Sequence, residues 1–276
     1  MARLQHPASY THRLIVSSMV YWEAMAACLI DQDINELSYL DMFSTQPRVF
    51  FSYPCPWSGV GTGVLIHLAK CIALVRRRLT SSDSTLLEKA VPLIQGLETT
   101  HIPTVDEIQQ TGDLFTPADH LHKIALCHRL IAKLELYRIF PELRQLFPAN
   151  AQVYSIQIEL RPQHPYSQQT GELAIGILKI MESIPEDSRT IAIQTLILLS
   201  AGSCLESCAT DWRRFVINRL HRLYHRLRLQ TINQAAAILK EVWLRMDLVL
   251  PGSENPIGQV HWMDVMVDNK LETILG

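Results

Sequence analysis

The chain has 276 residues, a net charge of −2, 48% hydrophobic residues and a mean hydropathy of +0.08. That length suits one large domain or two small ones, and the apolar content is ample for a core, which excludes general disorder. A near-neutral chain has no overall field to attract nucleic acid or anionic lipid.

The first residues, Met-Ala-Arg-Leu-Gln-His-Pro, have no apolar signal-peptide core, and the apolar run at 24–30 is too short to span a bilayer. No membrane association is expected. Six cysteines stand at 28, 55, 71, 127, 204 and 208, with no Cys-x-x-Cys among them. They read as reduced, mostly core thiols of an intracellular protein, cytoplasmic or nuclear.

In chain order, residues 10–30 read as a first helix, with Leu14, Met19, Trp22, Met25, Ala26 and Leu29 near helical spacing. Residues 31–43 suit a short second helix. Residues 47–63 hold three prolines and three glycines and read as a loop. Residues 64–79 form a helix ending in Arg76, Arg77 and Arg78, where positive charge suits the helix dipole. Residues 82–99 are helical, with a kink or break expected at Pro92. Thr116 and Pro117 open a long helix that runs to about Phe140 and is ended by Pro141. Residues 148–170 read as linker; 153–160 alternate like a strand, but no partner strand is evident, so an irregular or short helical course is expected. A helix follows at 170–183.

The chain is organised around residues 185–203. Pro185, Glu186, Asp187 and Ser188 resemble a helix start, and Gly202 offers a stop. Between Ile191 and Ala201 only Gln194, Thr195 and Ser200 are polar. A helix apolar nearly all round must be surrounded by protein. Asp211 is placed as the cap of a helix over 212–229, followed by a helix over 231–247, a Pro/Gly loop over 248–259, and short turns at 261–266 and 270–275. The fold class is therefore all-α: one multi-helix domain over 1–276 around a buried central helix at about 185–203, with an internal ligand cavity as an expectation.

Several motifs invite a chemical role and have a simpler one. Gly59-Val-Gly-Thr-Gly63 invites a phosphate-loop reading, but Val64 replaces the third glycine and no Gly-Lys-Ser/Thr follows. A tight turn allowing close helix packing fits better. His221 and His225 lie on one face as in a zinc helix, yet Arg222 stands where the catalytic glutamate belongs. No metal or other cofactor is expected. Residues 209–230 carry six arginines against one acid, and 246–276 carry five acids against one lysine. These segments either face each other or solvate helix faces. Direct DNA contact by the basic helix is not expected, because Trp212 and Phe215 fall on its apolar side. His120, His122 and His128 read as satisfied structural groups, or as one or two pocket-lining donors. His261 and Asp264 share a face, as an acid–base pair or, preferably, as a capping arrangement that fastens the tail.

Five stretches resemble one family in order: Trp57-Ser-Gly-Val-Gly-Thr with Leu-Ala-Lys, Leu130-Ile-Ala with Leu-Tyr137-Arg-Ile-Phe-Pro, residues 183–203, Trp212-Arg-Arg-Phe-Val, and Val260-His-Trp-Met-Asp-Val-Met. Together they resemble the regulatory domain of fungal zinc-cluster transcription factors. The resemblance implies an all-α domain with an internal cavity that senses small molecules, in a nuclear regulator of metabolism, with no catalytic residues. Members carry a DNA-binding module of six closely spaced cysteines around two zinc ions. Here the gaps between cysteines are 27, 16, 56, 77 and 4 residues, so that module is expected to be absent.

Two functions follow as expectations. One is a binder of a hydrophobic small molecule in fungal secondary metabolism, acting without a cofactor as a cycloaddition-type cyclase or isomerase. Its ligand-binding candidates are Trp22, Trp57, His128, Tyr137 and His261, aromatic or polar groups within apolar segments. The other is a transcriptional regulator or co-regulator without its own DNA-binding domain, working through a partner transcription factor docked on the 212–228 helix or the acidic tail.

Overall fold

Ser9 opens the first helix by accepting a hydrogen bond from the His12 amide, and α1 runs over Tyr10–Ala26. The computed structural model describes residues 9–46, 48–147, 151–153, 156–158, 166–248 and 260–272. After α1 come a 3-10 helix (Ile34–Leu40), the single turns α2 (Asp41–Ser44) and α3 (Arg48–Phe51), α4 (Thr62–Thr80) and α5 (Leu86–Thr99). Pro92 lies inside α5 without ending it. A 3-10 turn at Val105–Glu107 precedes α6 (Ala118–Ile139) and the turn α7 (Leu143–Leu146). Then follow α8 (Tyr166–Glu182), a 3-10 helix (Arg189–Ile193), α9 (Thr195–Gly202), α10 (Thr210–Leu227), α11 (Gln230–Leu248) and α12 (Trp262–Asp268). The fold is all-α.

α4 and α6 pack together at the centre, with α1 and α5 covering α4. On the other side α8 and α9 lie against α6, α10 and α11 cover α9, and α12 seals α11. Arg76 ties two layers by donating to the Cys28 carbonyl at 2.8 Å, just beyond the end of α1. No helix among the described residues is long and apolar enough to cross a membrane.

Every residue of α9 is buried, as its composition requires. Its beginning differs from the expected one. Residues 185–187 form a turn, Ser188 caps a 3-10 helix by accepting from the Thr190 amide, and the α-helix begins only at Thr195. Gln194 causes the break. Its buried side-chain amide donates to Thr190 Oγ1 at 3.1 Å within the 3-10 helix, and its carbonyl accepts from Arg219 Nε of α10 at 3.1 Å, so one local and one tertiary bond meet at the break. Gly202 is the last residue of α9 rather than a left-handed stop. A Cβ there would stand 3.1 Å from Val216 and 3.2 Å from Leu239, and its carbonyl accepts from Trp243 Nε1 at 2.9 Å. Gly202→Ala is therefore expected to destabilise by about 1–3 kcal/mol through overpacking. A lowered urea midpoint at unchanged slope would register it.

Other boundaries also move. The 148–170 stretch contains a short antiparallel pair, Ala151–Val153 with Ile156–Ile158, which supplies the partner strand that the sequence reading did not find. α8 starts at Tyr166, before Thr170. Pro117 is the N-cap of α6, while the Thr116 hydroxyl donates to Asp113 instead. Asp211 lies inside α10 and pairs with Arg214 at 2.8 Å; the cap is Ala209. The expected 248–259 loop and the 270–275 turn lie largely outside the described residues.

Candidate functional site

Where the 3-10 helix Arg189–Ile193 reaches the surface, it meets the start of α1, the 53–59 loop and the 109–116 loop. Together they enclose a cleft of about 590 Å³, a size usual for small-molecule sites. Its apolar surfaces include Leu14, Leu121 and Ile193. Arg13, Asp113 and Arg189 also line it.

The 53–59 loop has its shape because Cys55 and Gly59 exchange backbone hydrogen bonds at 2.8 Å. Gly59 has φ +58°, which only glycine adopts without strain, and a Cβ there would meet Leu121 at 3.3 Å. Gly61 precedes α4, and a Cβ on it would press on the Ser58 carbonyl at 3.1 Å and on Ala125 of α6 at 3.5 Å. The glycines thus let α4 pack closely on α6. The first residues of α4 are buried, and Thr62 Oγ1 already bonds Ser58 at 2.8 Å and Ser17 at 3.0 Å.

Arg13 stacks over the Tyr53 ring at 3.9 Å. Arg189 meets Asp113 at 3.4 Å and lies 5.6 Å from the Phe115 ring centroid. Asp113 accepts the Thr116 hydroxyl at 2.6 Å and the Phe115 amide at 3.2 Å. The Thr116 bond, aided by Arg189, holds its carboxyl below the usual range.

The histidines of α6 separate. His122 bonds the Pro103 carbonyl at 2.6 Å, and His120 bonds Ser188 at 3.0 Å. His128 is buried against the Ile193 backbone, and burial lowers its pKa to about 4. Because this lies below the unfolded value of about 6.5, an acidified solution protonates the unfolded chain first. Stability is therefore expected to fall as pH drops from about 6.5 towards 4, with His128 contributing a slope of up to about 1.4 kcal/mol per pH unit. His128→Leu should flatten that slope in urea titrations run across this range.

Of the other sequence candidates, Trp22 and Trp57 come together at the surface, with ring centroids 5.5 Å apart and Tyr21 touching both. Tyr137 is buried in α6 and donates to the Phe147 carbonyl at 2.6 Å. His261 caps α12 by accepting the Met263 amide on Nδ1 at 3.2 Å, the capping role preferred for it. Its Nε2 therefore carries the proton and donates to Glu135 Oε2 at 2.9 Å. Glu135 Oε1 accepts from Ser200 Oγ at 2.5 Å and Trp262 Nε1 at 2.8 Å. Burial alone would raise the Glu135 pKa, but His261, Arg138 and Ser200 hold it at about 2. Burial, followed by Arg138, holds His261 below its ordinary value, in keeping with a neutral ring.

The structure thus brings together Trp22 with Trp57, while His128, Tyr137 and His261 each bond to other groups of the core. None of the five borders the cleft. Its polar residues were missed in the sequence, since they come from four distant segments. Glu135 had a visible signal: a lone acid within the apolar stretch of α6.

The basic α10 is largely engaged within the fold. Arg213 forms a bidentate pair with Asp247 at 2.7 and 2.8 Å, and Arg222 pairs with Glu186. Buried Arg219 donates to Gln194 and to the Ile184 and Pro185 carbonyls. Of the acidic tail, Asp247 and Asp268 pair with Arg213 and Arg245. Among the described residues no group of three His, Cys, Asp or Glu side chains could hold a metal ion.

Comparison with curated proteins and with solved structures returns no match. The model of one family, described as the fungal specific transcription factor domain, matches residues 3–276. The chain, over nearly its whole length, belongs to the fungal specific transcription factor domain family.

Proposed function

We propose that this domain is the regulatory part of a fungal transcriptional regulator and that a small molecule in the 590 Å³ cleft sets its output. Family membership supports the regulatory half of this reading. One observation carries the ligand half: the cleft is lined by the 3-10 helix that runs directly into the most buried helix of the core. Occupancy there would bear on the packing of α9 rather than on a detached loop. The six thiols are spread through the helical domain, so reading of DNA is assigned to another module or to a partner factor.

The enzymatic alternative, a cofactor-free cyclisation of a hydrophobic natural product, has less behind it. None of its five candidate residues borders the cleft, and both ring nitrogens of His261 are committed to other groups.

The test is to fuse the chain to a heterologous DNA-binding module and measure a reporter. Output different from that of the module alone, altered again by filling the cleft with Ala192→Trp, is the expected result. Output equal to the bare module for both chains would overturn the reading.

A further inference from the structure

We propose that the cleft takes an amphipathic organic anion: an aromatic or polycyclic body bearing one carboxylate, sulfonate or phosphate. This rests on the cleft being the effector site.

Two guanidinium groups and one carboxylate line the cleft, and the carboxylate is already well supplied. Asp113 receives its short hydrogen bond from Thr116, at 2.6 Å, and a second from the Phe115 amide. Its contact with Arg189 is 3.4 Å, longer than the roughly 2.7–2.9 Å of a strong charge-assisted bond. The Arg189 side chain is 61% exposed, and exposed pairs of this kind contribute little. Arg189 can therefore turn to an incoming anion while Asp113 keeps its other partners. Arg13 is held in place by the Tyr53 ring, so it needs little ordering on binding. Leu14, Leu121 and Ile193 offer the body of the ligand an apolar bed. An anion would meet two guanidinium groups along the cleft wall, and a cation would be opposed by them.

Cys55 lines the cleft and reports on it. Of the six thiols, only Cys55 and Cys208 are not buried. In a Cys208→Ser chain, maleimide modification should proceed at Cys55 alone. The probes are anilinonaphthalene sulfonate and its uncharged analogue phenylnaphthylamine, which share the ring system and differ by the anion.

The sulfonate is expected to bind one per chain, on the order of tenfold or more tighter than the neutral analogue, and to slow Cys55 modification. Arg13→Gln with Arg189→Gln should remove that preference while leaving the affinity for the neutral probe unchanged. The paired lysine substitutions should keep most of it. If the glutamine chain does not fold, the two probes on the Cys208→Ser chain still decide. Equal affinity for both probes, with Cys55 protected by both, would overturn the anion class and leave the cleft as an effector site. Binding of either probe without protection of Cys55, or no binding at all, would overturn the cleft itself as the ligand site.

Discussion

Glu135→Ala is expected to cost about 3–5 kcal/mol of stability, because it removes the one acceptor shared by three buried donors. Ser200 Oγ and Trp262 Nε1 both donate to Oε1, and His261 Nε2 donates to Oε2. Arg138, which donates to Ser203 Oγ at 2.8 Å and to the Val260 carbonyl, would lose its nearby counter-charge. Glu135→Gln separates charge from shape. Its amide oxygen can still serve Ser200 and Trp262, but its NH₂ would face the His261 Nε2 proton. His261 cannot escape by moving that proton to Nδ1, which accepts the Met263 amide. Glu135→Gln should therefore fall between Ala and wild type, at a cost of about 2 kcal/mol. Chemical denaturation of the three chains checks the order. The same carboxylate sets an acid limit. Its folded pKa of about 2 lies below the unfolded value, so its contribution is present above about pH 4.5 and lost as pH falls towards 2. Glu135→Gln should remove that part of the acid transition, and an unchanged acid transition would contradict the assignment.

Arg219→Ala is expected to cost about 3–4 kcal/mol, of a different kind. Arg219 is buried and crosses from α10 to the turn before the 3-10 helix, where it donates to the Ile184 carbonyl at 3.0 Å, the Pro185 carbonyl at 3.4 Å and Gln194 Oε1 at 3.1 Å. Its loss orphans acceptors and frees the segment that lines the cleft. Hydrogen exchange should show amides 188–194 opening more readily in Arg219→Ala, whereas Glu135→Ala should act on 260–268. Arg219→Lys restores the charge but not the fork and should recover little. An exchange pattern raised evenly over the whole domain would argue against this local role.

These two residues also mark the limits of reading the sequence. The burial of α9 was legible, since a segment with no charge between Arg189 and Glu206 has no solvent face. The helix boundaries of α4, α6 and α11 followed from apolar period and breakers. The interruption at Gln194 was not legible, because it is made by Arg219, 25 residues away. The cleft was hidden for the same reason: Arg13, Tyr53, Asp113 and Arg189 come from the start of α1, two loops and the first residue of a 3-10 helix, which share no periodicity to mark a common face. The ligand-binding candidates are aromatic or polar groups within apolar segments. That criterion finds core network members such as His261 as readily as ligand contacts.

The run from Ser188 to Gly202 is one continuous piece of backbone, open to the cleft at one end and enclosed by helices at the other. Gln194 sits at the joint, its side chain bonded to Thr190 in the 3-10 helix and to Arg219 of α10. If the cleft is the effector site, occupancy at the outer end is expected to press on α9 where it packs against α10 and α11.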